Sequence, residues 1–252
     1  MKGANGYKMH EMLAEGIKRL GLSADASQIE KLEQYSRLLC EWNEKMNLTA
    51  ITDKEGIVTK HFLDSMTALA TGKVKGRVID VGCGAGFPGL VLKIMEPATE
   101  LTLLDSLAKR ISFLDAVCDE LDLEGVTTVH ARAEDGARRM REQFDAAVSR
   151  AVANMTVLAE LCLPFVKKGG YFLALKGPLA DDELAAAGRA IEVLGGRVEG
   201  VQSVKIPFTE LNHKIIIIKK VRQTPMQYPR KAGIASKFPI GNCYNLKKSA
   251  KK

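Results

Sequence analysis

One segment limits what this chain can become more than any other: Val78-Ile-Asp-Val-Gly-Cys-Gly-Ala-Gly-Phe-Pro-Gly89. A short, buried, β-branched strand empties into glycines. Glycine permits a tight turn and lets a ligand come close to the backbone. A helix starting at about Pro88 would present free first-turn amides to that ligand, and proline suits a helix's first turn.

Strands and helices alternate after this point. Strands are predicted at 77–81, 101–105, 126–130, 144–149 and 171–175, the last introduced by Gly169-Gly170. Helices are predicted at 107–121, 134–142 and 154–165. Such alternation gives an α/β, doubly wound, Rossmann-like parallel sheet. Two further strands, 198–204 and 214–221, follow with a Pro207-containing loop and no helix between them, so the sheet should close with an antiparallel strand. This is the methyltransferase version of the fold. A dinucleotide-binding fold would normally continue with another helix and strand.

Three sections emerge. Residues 1–72 read as an N-terminal helical region. A helix fits 9–20, and in 27–46 the residues Ile29, Leu32, Tyr35, Leu39, Trp42 and Met46 build one apolar stripe, opened by a Ser27-x-x-Glu30 capping box. Another covers 55–70 with Asp53 as its N-cap. Residues 73–222 form the ligand-binding domain. Residues 223–252, with three prolines and no periodicity, read as an extended, partly ordered basic tail.

The glycines alone leave the ligand open, because Gly84-Ala-Gly-Phe-Pro-Gly89 literally matches a nicotinamide fingerprint. That register would bury Gly82 and Cys83 in the strand and leave Asp80 idle. In the pattern apolar-apolar-Asp-x-Gly-x-Gly-x-Gly, Asp80 can instead meet the amino-acid end of S-adenosyl-L-methionine, whose ammonium and sulfonium favour a carboxylate. The plainer role for Asp80 is to accept amides of the glycine turn. Asp105 ends the second strand, where a carboxylate accepts from ribose hydroxyls of either cofactor. Ala133 and Glu134 follow the third strand and could read an adenine edge, although Glu134 equally suits a helix's first turn. Arg150 follows the fourth strand, at the sheet end that lines such sites. Gly82, Gly84 and Phe87 complete the expected cofactor set.

Absences narrow the chemistry. Base-amino methylation usually employs a (Asp/Asn/Ser)-Pro-Pro-aromatic loop, and here that loop is Ser149-Arg150-Ala151-Val152. Carbon-5 methylation of pyrimidines needs a nucleophilic cysteine, and Cys162 reads as core. A target with its own lone pair, such as a purine N7, then needs no protein base; Arg150 is a positioning residue. Five scattered cysteines, none in Cys-x-x-Cys spacing, give no disulfide framework or zinc site, and no metal is expected. No secretory signal or membrane-length apolar run is visible, so the chain is expected in the cytoplasm.

The net charge of +7 sits entirely in the tail: Arg230, Lys231, Lys237, Lys247, Lys248, Lys251 and Lys252, with no acid. Basic side chains displace counterions from phosphates, so the tail suggests a polyanionic partner, and the first five are candidate contacts should that partner be RNA. A solubilising tail is the alternative. The expectation is that the tail adds RNA affinity and little cofactor affinity.

Together, Leu39-x-x-Trp42-Asn43-x-x-x-Asn47-Leu48-Thr49, His61-Phe-Leu-Asp-Ser65, the glycine segment, Leu103-Leu-Asp-Ser106 with Lys109-Arg110, Ser149-Arg150-Ala151, Leu175-Lys-Gly177 and Tyr228-Pro-Arg-Lys-Ala-Gly233 resemble the bacterial RsmG (GidB) family. The resemblance spans nearly the whole chain, and the last motif matches longer members. It implies an S-adenosylmethionine-dependent enzyme that methylates N7 of guanine 527 in 16S ribosomal RNA, using Gly82, Phe87, Ala133, Glu134 and Arg150 toward the cofactor. It implies the ribosomal small subunit or its RNA as partner. Other readings are a methyltransferase of this fold acting on another RNA or a protein, a nicotinamide oxidoreductase, and a non-catalytic RNA-binding factor that retains the pocket.

Overall fold

The computed structural model describes residues 8–150 and 153–241. Helices α1 (Met9–Arg19) and α2 (Ala26–Met46) lead into a long helical stretch. That stretch runs through α3 (Lys54–Gly56), a π-helical run Ile57–Leu63, α4 (Asp64–Met66) and a 3-10 turn Thr67–Thr71. The alternating core follows: β1 (Arg77–Val81), α5 (Gly89–Met95), β2 (Glu100–Asp105), α6 (Ala108–Glu120), β3 (Val126–His130), α7 (Ala133–Arg139), β4 (Phe144–Arg150), α8 (Met155–Cys162), β5 (Val166–Lys176), α9 (Ala180–Val193), β6 (Gly196–Lys205) and β7 (Asn212–Lys220). A short α10 (Ile234–Lys237) lies in the tail.

The seven strands stand in the order β3-β2-β1-β4-β5-β7-β6. Strands β1 to β5 pair in parallel, and β7 inserts antiparallel between β5 and β6. The expected doubly wound sheet with a reversed closing strand is therefore present. Strand side chains alternate between two apolar layers, as period two requires. Val78, Leu103, Ala146 and Leu173 face the layer built with α1, α2, α5 and α6. Their neighbours Ile79, Leu104, Ala147 and Phe172 face the layer built with α8 and α9. The N-terminal helices thus share the core of the sheet. Tyr35 of α2 is fully buried, donates its hydroxyl to the Ala85 carbonyl and stacks on Phe87 at 5.3 Å, so α2 braces the glycine loop directly.

The structure departs from the expectations in four places. The cap of α2 is Asp25, two residues earlier than Ser27. Asp25 accepts from the Gln28 amide at 2.8 Å, and Gln28 returns a bond to the Asp25 amide at 2.9 Å. An Asp with Gln three residues on makes the same reciprocal box as Ser with Glu. Helix α9 was not foreseen; the face it buries is mostly alanine, Ala180, Ala187 and Ala190 beside Ile191, rather than a stripe of large apolar residues. The helix expected at 55–70, capped by Asp53 as foreseen, contains the π-helical run. Finally, the described tail docks on the body. Thr224 and Ala235 are buried, and the Arg230 guanidinium is bound to Glu160. Lys247 and Lys248 lie outside the described residues.

Candidate functional site

The carboxyl ends of β1, β2 and β4 open into a cleft of about 560 Å³. Its floor is the glycine loop. Gly82 and Gly84 sit at φ of 73° and 59°, a region other residues rarely adopt. The Gly82 amide donates to the Leu104 carbonyl at 2.8 Å, which ties the loop to β2. At Gly89 an added Cβ would lie 2.8 Å from Asp80 Oδ2, so only glycine lets α5 start this close to the carboxylate.

Gly82, Gly84, Phe87, Asp105, Ala133, Glu134 and Arg150 all line the cleft. Asp80 does not. It is fully buried behind the loop, and its Oδ2 accepts from the Gly89 amide at 2.7 Å. The plainer role thus holds for that oxygen. Oδ1 is the one buried side-chain polar atom among the described residues with no partner. Burial raises the Asp80 pKa to about 7, against the Gly89 hydrogen bond and the Arg150 charge, which lower it. A cation arriving in the cleft would favour the ionised form.

Asp105 is 2% exposed. It accepts from the Gly84 amide at 3.0 Å, the Leu107 amide at 2.9 Å and Arg110 at 3.1 Å. It is therefore held rigidly, with Arg110 as a counter-ion that resemblance had named without a role. Glu134 occupies the first turn of α7, and its Oε1 accepts from the Gly233 amide at 3.1 Å.

Arg150 is the most connected side chain here. It donates to the Lys60 carbonyl at 2.9 Å and to Asp64 at 2.9 Å, and reaches His61 Nδ1 at 3.1 Å. Its guanidinium lies 5.1 Å from the Phe87 ring centre. His61 stacks on Phe87 at 4.4 Å and 17°. Arginine can only donate, so Nδ1 of His61 is the acceptor, and the ring proton belongs on Nε2, 2.9 Å from Thr49 Oγ1. Burial, helped by the Arg150 charge, lowers the His61 pKa to about 4. The ring is thus neutral at neutral pH with both nitrogens engaged. Asp64 also binds His213 at 2.6 Å, and this hydrogen bond raises the His213 pKa.

Sequence reasoning assigned no role to His61, Asp64, Thr49 or His213. The first three were visible as motif residues. The π-helical run presents His61, and Asn43 accepts from the Thr49 amide at 2.8 Å where α2 ends. Cys83 also lines the cleft, but burial pushes its thiol well above the usual range. Cys162 is fully buried and shifted the same way. Neither is a thiolate nucleophile. Of the candidate RNA contacts, Arg230 is engaged by Glu160, while Lys231 and Lys237 are exposed. Among the described residues no group of three or more His, Cys, Asp or Glu could hold a metal ion, and no helix is long and apolar enough to cross a membrane.

A reversed β7, with a glycine loop after β1 and an acid at the end of β2, gives the methyltransferase form of the Rossmann-like fold. Solved structures share this architecture. One, titled M. jannaschii TYW2 in complex with AdoMet, is 12% identical with a TM-score of 0.50, covering 63% of this chain and 77% of that one. TrmN from Thermus thermophilus is 16% identical with a TM-score of 0.50, covering 65% of this chain and 53% of that one. These show the fold alone. Sequence relatives go further. Residues 28–213 match the family described as "rRNA small subunit methyltransferase G". The ribosomal RNA small subunit methyltransferase G of Alkaliphilus oremlandii is 52% identical over 92% of this chain and 99% of its own length. That of Clostridium beijerinckii is 50% identical over the same shares. The chain belongs to the GidB family of ribosomal RNA small subunit methyltransferases.

Proposed function

We propose that the chain methylates N7 of a guanine in small-subunit ribosomal RNA, the guanine 527 of 16S RNA that the family resemblance indicates, in the cytoplasm and on the RNA or its ribosomal particle. One observation carries this reading. The cleft adjoins a second cavity, also about 560 Å³, and the two share His61, Arg150 and Ala153 in their walls. A cofactor in the first and an unstacked base in the second would meet at Arg150.

The residues fit S-adenosylmethionine. Asp105 suits ribose hydroxyls, the glycine amides and close backbone approach suit its compact amino-acid end, and the unpartnered Asp80 Oδ1 lies behind that loop on a carboxyl that a nearby cation would ionise. The proposal assigns Gly82, Gly84, Phe87, Ala133 and Glu134 to the cofactor wall and Asp80 to its charge balance. When bound, the cofactor supplies an electrophilic methyl group on sulfonium. Guanine N7 carries an in-plane lone pair and no proton, so nothing must be deprotonated before attack. The protein's task is to hold the acceptor in line. Arg150, fixed by Asp64, the Lys60 carbonyl and His61, sets that geometry, and the occupied nitrogens of His61 agree with a reaction that uses no general base.

The three sections contribute differently in this reading: 1–72 braces the loop and supplies His61 and Asp64, 73–222 holds cofactor and base, and 223–252 adds Gly233 and Ser236 to the cleft and positive charge beyond it. Transfer of a tritiated methyl group to naked unmethylated small-subunit RNA and to assembled particles tests the proposal. Label in either substrate supports it, and the preferred one identifies the partner. Label only in another RNA or a protein points to a different methyltransferase, and no label anywhere points to a non-catalytic RNA-binding factor.

A further inference from the structure

We infer that residues 228–237 form a fixed wall of the cofactor cleft, and that Arg230 is the positioning residue that anchors this wall so that Glu134 faces the nucleobase end of the ligand. The inference rests on the cleft being the S-adenosylmethionine site, and it replaces the expectation that the tail matters little to the cofactor.

The anchor is a buried ion pair. Glu160 of α8 is 1% exposed. Arg230 donates to its carboxylate from Nε at 2.9 and 3.1 Å and from Nη2 at 2.5 Å, and the Arg230 backbone amide adds a fourth bond at 2.9 Å. A carboxylate this deeply removed from water needs such partners, so the segment cannot leave cheaply. Upstream, the same chain is held twice more. Arg141 donates to the carbonyls of Thr224, Pro225 and Tyr228, and the Thr224 amide donates to Glu142 at 2.7 Å.

Three residues past Arg230, the chain arrives at the cleft. The Gly233 amide donates to Glu134 Oε1, and Gly233 and Ser236 line the cavity. Ala235 is buried against the body. A glutamate in a helix's first turn would otherwise be free to turn its carboxylate to solvent. With Gly233 on Oε1, Oε2 is the oxygen that no other described residue takes, and it is left for a donor on the ligand. A 6-aminopurine offers such a donor. A 6-oxopurine offers an acceptor at the same position and sets two acceptors against each other. Discrimination between these bases is thus a property of the anchored tail as much as of Glu134.

The test is calorimetric titration of the full chain with S-adenosylhomocysteine and with its 6-oxo counterpart, S-inosylhomocysteine. The full chain prefers the amino form by at least about tenfold, as one hydrogen bond to a charged acceptor allows. Arg230→Ala weakens S-adenosylhomocysteine by about tenfold or more and brings the two ligands within about threefold of each other. Arg230→Lys restores part of the preference. Since Arg230→Ala leaves a buried carboxylate without its partner, a second measurement uses the unaltered chain: saturating S-adenosylhomocysteine slows tryptic cleavage between Lys231 and Ala232, by linkage between wall and ligand. Arg230→Ala with undiminished affinity and preference, or cleavage at Lys231 indifferent to ligand, overturns the inference. A full chain that binds neither ligand overturns the reading of the cleft itself, and the wall with it.

Discussion

Replacing Asp80 by asparagine separates the charge of this residue from its hydrogen bond. Asp80→Asn keeps an oxygen for the Gly89 amide but cannot ionise. Burial moves the Asp80 pKa from 3.8 to about 7. A shift of about three units corresponds to about 4 kcal/mol at full ionisation. The sign follows from which state holds the proton more tightly. The folded pKa is raised, so the contribution to stability is whole below pH 3.8 and is lost as pH rises through 7. Between pH 5 and pH 8 the parent should lose about 3 kcal/mol through this group alone. Urea unfolding of both proteins at the two pH values measures it. His61 and the other titrating groups are common to both, so the difference between the curves isolates Asp80. The gap should move by about 3 kcal/mol in favour of the variant at pH 8. A gap that stays constant refutes the assignment of a protonated, uncompensated carboxyl behind the loop. The same group should release a proton when a sulfonium ligand restores its ionisation. Near pH 7 the binding heat of S-adenosylmethionine should therefore depend on the ionisation enthalpy of the buffer for the parent and not for Asp80→Asn.

Arg150→Ala should lower single-turnover methyl transfer by about a hundredfold through lost positioning, and should cost about 3 kcal/mol in urea unfolding because Asp64 keeps only His213; wild-type turnover would remove Arg150 from the mechanism. With cofactor saturating, the single-turnover rate should be flat across pH 7 to 9, whereas a tenfold rise per pH unit would reveal an essential base. A chain ending at Gly241 lacks Lys247, Lys248, Lys251 and Lys252 but keeps the docked segment. Its RNA binding should show a salt slope flatter by about 0.7 to 0.9 for each phosphate that these lysines neutralise in the full chain, with S-adenosylhomocysteine affinity intact; an unchanged slope would make these lysines solubilising only.

The fold was legible because its periodicities are local. The β-branched runs at 77–81 and 126–130 match β1 and β3 at both ends, and the glycines after β1 mark the turn directly. Asp105, Glu134 and Arg150 could be placed because each lies at or just past the carboxyl end of a strand, and strand carboxyl ends converge in this topology. Asp80 shows where such reasoning stops. Its position along the chain is right for the loop, but whether a strand residue points into a cleft or beneath it depends on packing against α5, and Gly89 draws it beneath. His213 joins Asp64 across 149 positions, a partnership no local pattern encodes. The tail misled for the opposite reason. Prolines, glycines and bare positive charge suggest a free segment, and only the fold reveals that Glu160 and Glu134 wait to receive Arg230 and Gly233. Charge patterning reports net balance, not which charges are already paired.

Chemical mapping of the methylated product tests the central claim most directly. Small-subunit RNA lacking the modification is treated with the enzyme and S-adenosylmethionine, then reduced with borohydride and cleaved with aniline, which breaks the chain at N7-methylguanine. Cleavage is expected at a single guanine, position 527 of 16S RNA, dependent on cofactor and slowed by about a hundredfold in Arg150→Ala. A methyl group incorporated without such cleavage, on an exocyclic amine or another base, would contradict it.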